Sequence, residues 1–208
     1  MFGTHKTTKA AIQKALSNGF SWLDTATGYQ NTAVIRDALL PQQKDGVILP
    51  GVSLLTKFNS GDFQDVKTIP TYLEQLPLVP AICLLHSPSK DIKGNWSPDE
   101  TLNHFQAMKT AVAHFKPVLG VSNFSIDQLS FLLDQKCPVQ HVQLEWSPYY
   151  QPRKLLQYCL DRKIEVSGYR LTHQGDIFKD ESLKTMASKY KVSILQLVQA
   201  WSRKHGIM

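Results

Sequence analysis

Cysteine is scarce in this chain: Cys83, Cys137 and Cys159 are all it has in 208 residues. The number is odd, no pair has CxxC spacing and each lies in an apolar stretch, which argues against a disulfide frame and against a zinc site. Reduced core thiols of a soluble, cytoplasmic protein are the expectation. No apolar run approaches the ~20 residues of a membrane-spanning helix, and no leader peptide is legible. Long runs of one charge are missing too. Lys and Arg number 23 against 17 Asp and Glu, a formal charge of +6, but they are scattered. Such an excess fits solubility and a mild attraction for a phosphate-bearing ligand; neither a nucleic acid nor a membrane is expected as a partner. His104, His114, His141, His173 and His205 have no carboxylate or cysteine at ligand spacing, so no metal is expected.

What the sequence does have is a set of apolar runs that end on ionisable residues. Phe20 to Leu23 stops at Asp24, with Tyr29 five residues on; Val52 to Thr56 stops at Lys57; Ala81 to Leu85 stops at His86. A carboxylate at the exit of a buried strand is costly unless a positive group meets it, and Lys57 is the natural partner for Asp24. In a parallel sheet or barrel the carboxyl ends of successive strands lie on one face, where active sites are found.

Along the chain, helical and strand patterns alternate. Residues 2–4 have room only for the tail of a strand. Ala11, Ile12, Ala15 and Leu16 recur at helical spacing before Gly19; Val34, Ile35, Ala38 and Leu39 do so before Pro41. A helix is expected over about 62–76, kinked or split by Pro70. A polar loop of about ten residues after His86 has the length of a segment over a functional face. Further strands are expected at 117–121, 139–144 and 164–169. Ser125 with Gln128 and Ser193 with Gln196 have capping-box spacing. Leu183, Met186, Ala187 and Tyr190 read as one helical face, Leu197 and Trp201 as a packing stripe. Alternation of this kind with short links is the pattern of parallel βαβ units. After Gly206 only Ile207 and Met208 follow, so an eighth strand is missing or a stub.

Read in order, Phe2-Gly-Thr4, Asp24-Thr-Ala-x-x-Tyr29, Thr56-Lys57, Leu84-Leu-His86, Gly120-Val-Ser-Asn-Phe124, Gln143-x-Glu145, Pro148-Tyr149 and Gly168-Tyr169 resemble the aldo-keto reductases. The resemblance implies a (β/α)8 TIM barrel over residues 1–208 as a single domain, incomplete because its first strand is clipped and its eighth is missing or a stub. It also implies reduction of an aldehyde or ketone by hydride transfer from NADPH. On that footing Tyr29 is the general acid. A free phenol, with a pKa near ~10, is a poor acid at neutral pH; Lys57 favours the phenolate, Asp24 holds Lys57, and His86 orients the carbonyl and stabilises charge on its oxygen. Ser122, Asn123 and Gln143 match the side chains that bond the nicotinamide carboxamide, Tyr169 the ring on which nicotinamide stacks, and Thr4 a residue beside the cofactor.

Three departures qualify the match. The family's basic segment after the eighth strand, which grips the 2′-phosphate and adenine, has no counterpart here, and each lost charge-assisted bond is worth about 1.5 to 3 kcal/mol. NADPH over NADH is therefore implied by the family and not legible in these residues. Open strand edges invite a covering partner, so an oligomer is one expectation. His5 and Ser87 stand where the family commonly has an aromatic and a Trp, which makes the pocket more polar or wider. The alternatives are a barrel that binds cofactor or a partner protein without useful turnover, and a truncated variant of a longer reductase.

Overall fold

The computed structural model describes residues 5–39, 43–44, 47–48 and 51–208. Two compact units make up the chain, Met1–Leu119 and Gly120–Met208. The strand expected at residues 2–4, and Thr4 with it, lie outside the described residues.

In the first unit, α1 (His5–Ser17) and β1 (Trp22–Asp24) are followed by α2 (Thr32–Leu39) and a small antiparallel pair, β2 (Gln43–Lys44) with β3 (Val47–Ile48). β4 (Ser53–Phe58), α3 (Thr68–Gln75), β5 (Ile82–Leu85) and α4 (Pro98–Ala111) complete it. β1, β4 and β5 are parallel, with Asp24 opposite Leu55 and Lys57 opposite Leu84. β5 is Ile-Cys-Leu-Leu, buried throughout, the continuous apolar run expected of a parallel strand covered on both faces. Val34, Ile35, Ala38 and Leu39 of α2 are buried, as the 3.6-residue periodicity requires. The helix expected over 62–76 is split: a 3-10 turn covers Ser60–Phe63, and α3 begins at Thr68. Pro70 thus falls in the first turn of α3, where a missing N–H costs nothing because those donors have no intrahelical acceptor.

β6 (Val118–Ser122) runs from the first unit into the second. There α5 (Ile126–Asp134), β7 (His141–Glu145), α6 (Arg153–Asp161), β8 (Glu165–Tyr169), α7 (Glu181–Tyr190) and α8 (Ile194–Lys204) follow. β6, β7 and β8 are parallel and in register through Ser122, Gln143 and Ser167. Both capping boxes form, at Ser125/Gln128 and Ser193/Gln196, each satisfying backbone donors at a helix start. Ile207 bridges Val166 in parallel, and Met208 exchanges backbone hydrogen bonds with Val166 and Gly168. That close approach explains the glycine: a Cβ at 168 would lie 3.0 Å from both Ile207 Cγ2 and Trp146 Cβ. Trp146 is fully buried and stacks on Trp201 of α8 at 5.2 Å between ring centroids, the packing role anticipated for Trp201. The face expected on α7 needs correcting. The helix is there, but of its apolar residues Ala187 is buried whereas Met186 and Tyr190 are 47% and 62% exposed. Among the described residues no helix is long and apolar enough to cross a membrane.

Candidate active site

Strand register brings the first group of side chains together. In a parallel pair, residues opposite each other point to the same side of the sheet, and so does every second residue along a strand. Asp24 lies opposite Leu55, two residues before Lys57; Lys57 lies opposite Leu84, two residues before His86. Asp24, Lys57 and His86 therefore project from one face, stepping along the carboxyl ends of β1, β4 and β5. His86 is held just past the end of β5, its N–H donating to the Phe58 carbonyl at 2.9 Å.

Lys57 is 1% exposed, and its ammonium donates to and forms an ion pair with the Asp24 carboxylate, whose side chain is 43% exposed. Burial pushes the lysine below its ordinary value, while the charge and hydrogen bond of Asp24 oppose the shift. A buried ammonium with one half-hydrated counter-charge is a source of positive potential aimed at its neighbours. One such neighbour is Tyr29, whose ring centroid lies 5.2 Å from Lys57 Nζ. The Tyr29 and His86 rings meet edge to face at 5.7 Å. Burial first, and the Lys57 charge second, hold His86 below the usual histidine range, with Asp24 and Asp62 acting the other way. His86 is thus kept as a neutral imidazole, able to donate one N–H. A phenol that is 38% exposed, a cation that favours its ionised form and a neutral donor beside it form a set able to hand a proton to an oxygen and stabilise what develops there.

The second unit holds the other group. Ser122, Gln143 and Ser167 share a register row, and Tyr169 stands two residues beyond Ser167 on the same side of β8. Ser122 and Gln143 are buried. Asn123 Nδ2 donates to Ser122 Oγ at 3.2 Å, the Tyr169 hydroxyl donates to Asn123 Oδ1 at 2.5 Å, and Gln143 Nε2 reaches Ser167 Oγ at 3.5 Å. Asn123 is in the left-handed region at φ 64, a conformation Asn tolerates better than most residues, and its N–H donates to the Gln143 carbonyl at 3.2 Å. Burial, then the Glu145 charge, raises the Tyr169 phenol above its ordinary value, so it stays a donor. Beside Asn123 and Tyr169 opens a cleft of ≈ 340 Å³ walled by Ser125, Gln128, Glu145 and Tyr150. A larger hollow of ≈ 450 Å³, at His141, Lys163 and Glu165, opens at the amino ends of β7 and β8, away from this row.

The Aldo/keto reductase family model matches residues 3–207. The chain belongs to the aldo/keto reductase family. Its relatives include the glyoxal reductase of Bacillus subtilis, 26% identical over 204 residues that cover 95% of this chain and 70% of that protein. Aldose reductase C of Dictyostelium discoideum is 29% identical over 224 residues, again 95% of this chain and 70% of the relative. Among solved structures, a Bombyx mori aldo-keto reductase in complex with NADP superposes with a TM-score of 0.84 at 21% identity, covering 99% of this chain and 73% of that one. An aldo/keto reductase from Brucella melitensis gives 0.82 at 22%, covering 98% and 77%. These likenesses show the aldo-keto reductase fold, and family membership supports carbonyl reduction as the chemistry.

The structure brings Asp24, Tyr29, Lys57 and His86 together in the first unit, and Ser122, Asn123, Gln143 and Tyr169 in the second. Sequence reasoning missed Thr27, Asn59 and Asp62, which bond one another beside Tyr29, and Ser167, which links His141 to Gln143. Asn59 and Asp62 do have capping-box spacing and form one at the start of the Ser60–Phe63 turn, a local signal the sequence offered; Thr27 and Ser167 carry none, because their contacts join distant parts of the sequence.

Proposed function

We propose that this chain reduces an aldehyde or ketone to an alcohol with NADPH, through Tyr29, Lys57, Asp24 and His86. The observation that carries the reading is the ammonium of Lys57, buried, paired with Asp24 and set 5.2 Å from the Tyr29 ring. Tyr29 gives its hydroxyl proton to the carbonyl oxygen; Lys57 stabilises the phenolate left behind; Asp24 keeps Lys57 charged and in place; His86 donates a hydrogen bond to the same oxygen. The proton returns to Tyr29 from solvent once the alcohol has left.

NADPH is the cofactor of this reading, because the family uses it. The residues present suit its nicotinamide: Ser122, Asn123 and Gln143 offer the donors and acceptors that a carboxamide needs, and the half-buried Tyr169 offers a ring. Bound NADPH supplies the hydride. Asn123, whose Oδ1 accepts from the Tyr169 hydroxyl, would hold the carboxamide, and Tyr169 would offer its ring to the nicotinamide. A match that runs unbroken through residues 3–207 supports one reductase domain on the family's (β/α)8 scaffold.

The test is turnover of NADPH with glyoxal, methylglyoxal and a reactive aromatic aldehyde, followed at 340 nm. Removing only the hydroxyl, as in Tyr29→Phe, lowers kcat about 100- to 10,000-fold. A wild-type rate no higher than that of Tyr29→Phe refutes the proposal; tight NADPH binding without turnover identifies a binding protein instead.

A further inference from the structure

Tyr29 is not on a strand. It closes a single 3-10 turn, Thr27–Tyr29, which is followed by Gln30 in the left-handed region at φ 50. A turn this short has few hydrogen bonds of its own and gains its position from what grips it. Thr25 Oγ donates to Asn31 Oδ1 at 2.6 Å and ties the two flanks of the turn. The middle is gripped from another part of the chain. The Thr27 hydroxyl donates to Asp62 Oδ2 at 2.5 Å and accepts from Asn59 Nδ2 at 2.9 Å. The same Asp62 oxygen accepts the backbone N–H of Asn59 at 2.7 Å. Asn59 lies two residues past Lys57, so these bonds, with Asn59 giving both its side-chain amide and its backbone N–H, close a ring between the turn that carries Tyr29 and the strand end that carries Lys57. Gly28 completes the fit: a Cβ there would come within 3.0 Å of Asn59 Nδ2.

We propose that Thr27, Asn59 and Asp62 form a clasp that sets the distance between Tyr29 and Lys57, making all three positioning residues for the proton donor. The inference deepens the reductase reading above and rests on it for its catalytic consequence. Its physical basis is separate. The pull of an ammonium on a phenol falls with distance, so a turn held rigidly against β4 favours the phenol's ionisation more than one free to swing. Thr27, Asn59 and Asp62 are all half-buried, and the Thr27 hydroxyl also lies 3.4 Å from the Lys57 carbonyl, a further tie to β4; opening the clasp changes position without dismantling the sheet. Asp62 is suited to the hub because a carboxylate oxygen accepts more than one donor at once, as Oδ2 does here from Thr27 and Asn59.

Two variants open the clasp. Thr27→Val keeps the volume and deletes the hydroxyl; Asn59→Ala deletes the amide donor. Thr27→Ser restores the hydroxyl and serves as the rescue. Tyrosine labelled with ¹³C at Cζ reports ionisation of Tyr29 directly, its signal assigned by its loss in Tyr29→Phe, whether or not any substrate is turned over. Thr27→Val and Asn59→Ala raise the Tyr29 midpoint by about half a pH unit or more, and Thr27→Ser leaves it at the wild-type value. With aldehyde and NADPH, both variants lower kcat about tenfold while the NADPH Kd and thermal midpoint stay near wild type, and the double variant is no worse than the poorer single one. An unchanged Tyr29 midpoint in both variants overturns the clasp. If the wild-type protein turns over no aldehyde but the midpoint still moves, the reductase reading fails and the clasp stands.

Discussion

An Asp24→Asn variant keeps the shape of the side chain and deletes the charge that faces the Lys57 ammonium. Lys57 is 1% exposed, so water cannot take the place of the lost carboxylate. Breaking a buried pair from one side costs about 3 to 5 kcal/mol. The Asp24 side chain is 43% exposed, so water already screens part of the pair, and the cost falls below that range, to about 2 to 3 kcal/mol. A ceiling follows from the alternative open to the lysine, which is to lose its proton. From an unfolded pKa near ~10.4, neutralising it at pH 7 costs about 4.6 kcal/mol. The reverse variant, Lys57→Met, leaves behind a carboxylate that can rehydrate, and costs less, about 1 kcal/mol. The asymmetry is the test, read by urea unfolding at pH 7 with far-UV circular dichroism. Its pH dependence adds a signature. The folded pKa of Lys57 is lowered, so the desolvation penalty is complete below that value and vanishes above the unfolded pKa, where lysine is neutral in both states. The Asp24→Asn deficit therefore shrinks as pH rises from 7 towards 10. Equal losses for the two variants, or a deficit that grows with pH, refute the electrostatic account of the pair.

His86 gives a second prediction: with its pKa held down by burial and by Lys57, the acid limb of the kcat/KM profile that it governs lies below pH ~6.5, and His86→Gln removes that limb while lowering kcat about 100-fold or more. Tyr169→Ala takes away the ring beside Asn123 and weakens NADPH binding about tenfold in a fluorescence titration, with little change in the thermal midpoint. Gly168→Ala pushes a methyl to 3.0 Å from Trp146 and Ile207 and destabilises the second unit by about 1 to 3 kcal/mol, seen as a lower melting temperature.

What could be read from the sequence was what is local or periodic. The capping boxes at Ser125 and Ser193 need residues three apart, and both formed. Asp24, Lys57 and His86 were found because each ends an apolar run, and parallel register did the rest. α3 shows where a local rule needs its position: Pro70 was read as a flaw inside a helix, but the helix starts at Thr68, within reach of its first turn. α7 shows a periodic face that the chain does not bury, because periodicity says which side is apolar and not what covers it. Of the clasp, the Asn59–Asp62 capping box was open to a local reading, but Thr27 was not, since its bonds span 32 and 35 residues and use a polar side chain common in any loop. The small β2 and β3 pair likewise carries too few residues to show alternation.

The left-handed backbone at Asn123 has a practical consequence for anyone who wishes to test its proposed hold on cofactor by saturation mutagenesis. Alanine, the usual probe, would add conformational strain to whatever contact it deletes, and so would exaggerate the apparent worth of the carboxamide. Glycine and aspartate tolerate that geometry, so a comparison of Asn, Asp and Gly isolates the amide's chemistry, whereas libraries at Gln143, which sits in ordinary strand, can be sampled without that confounding cost.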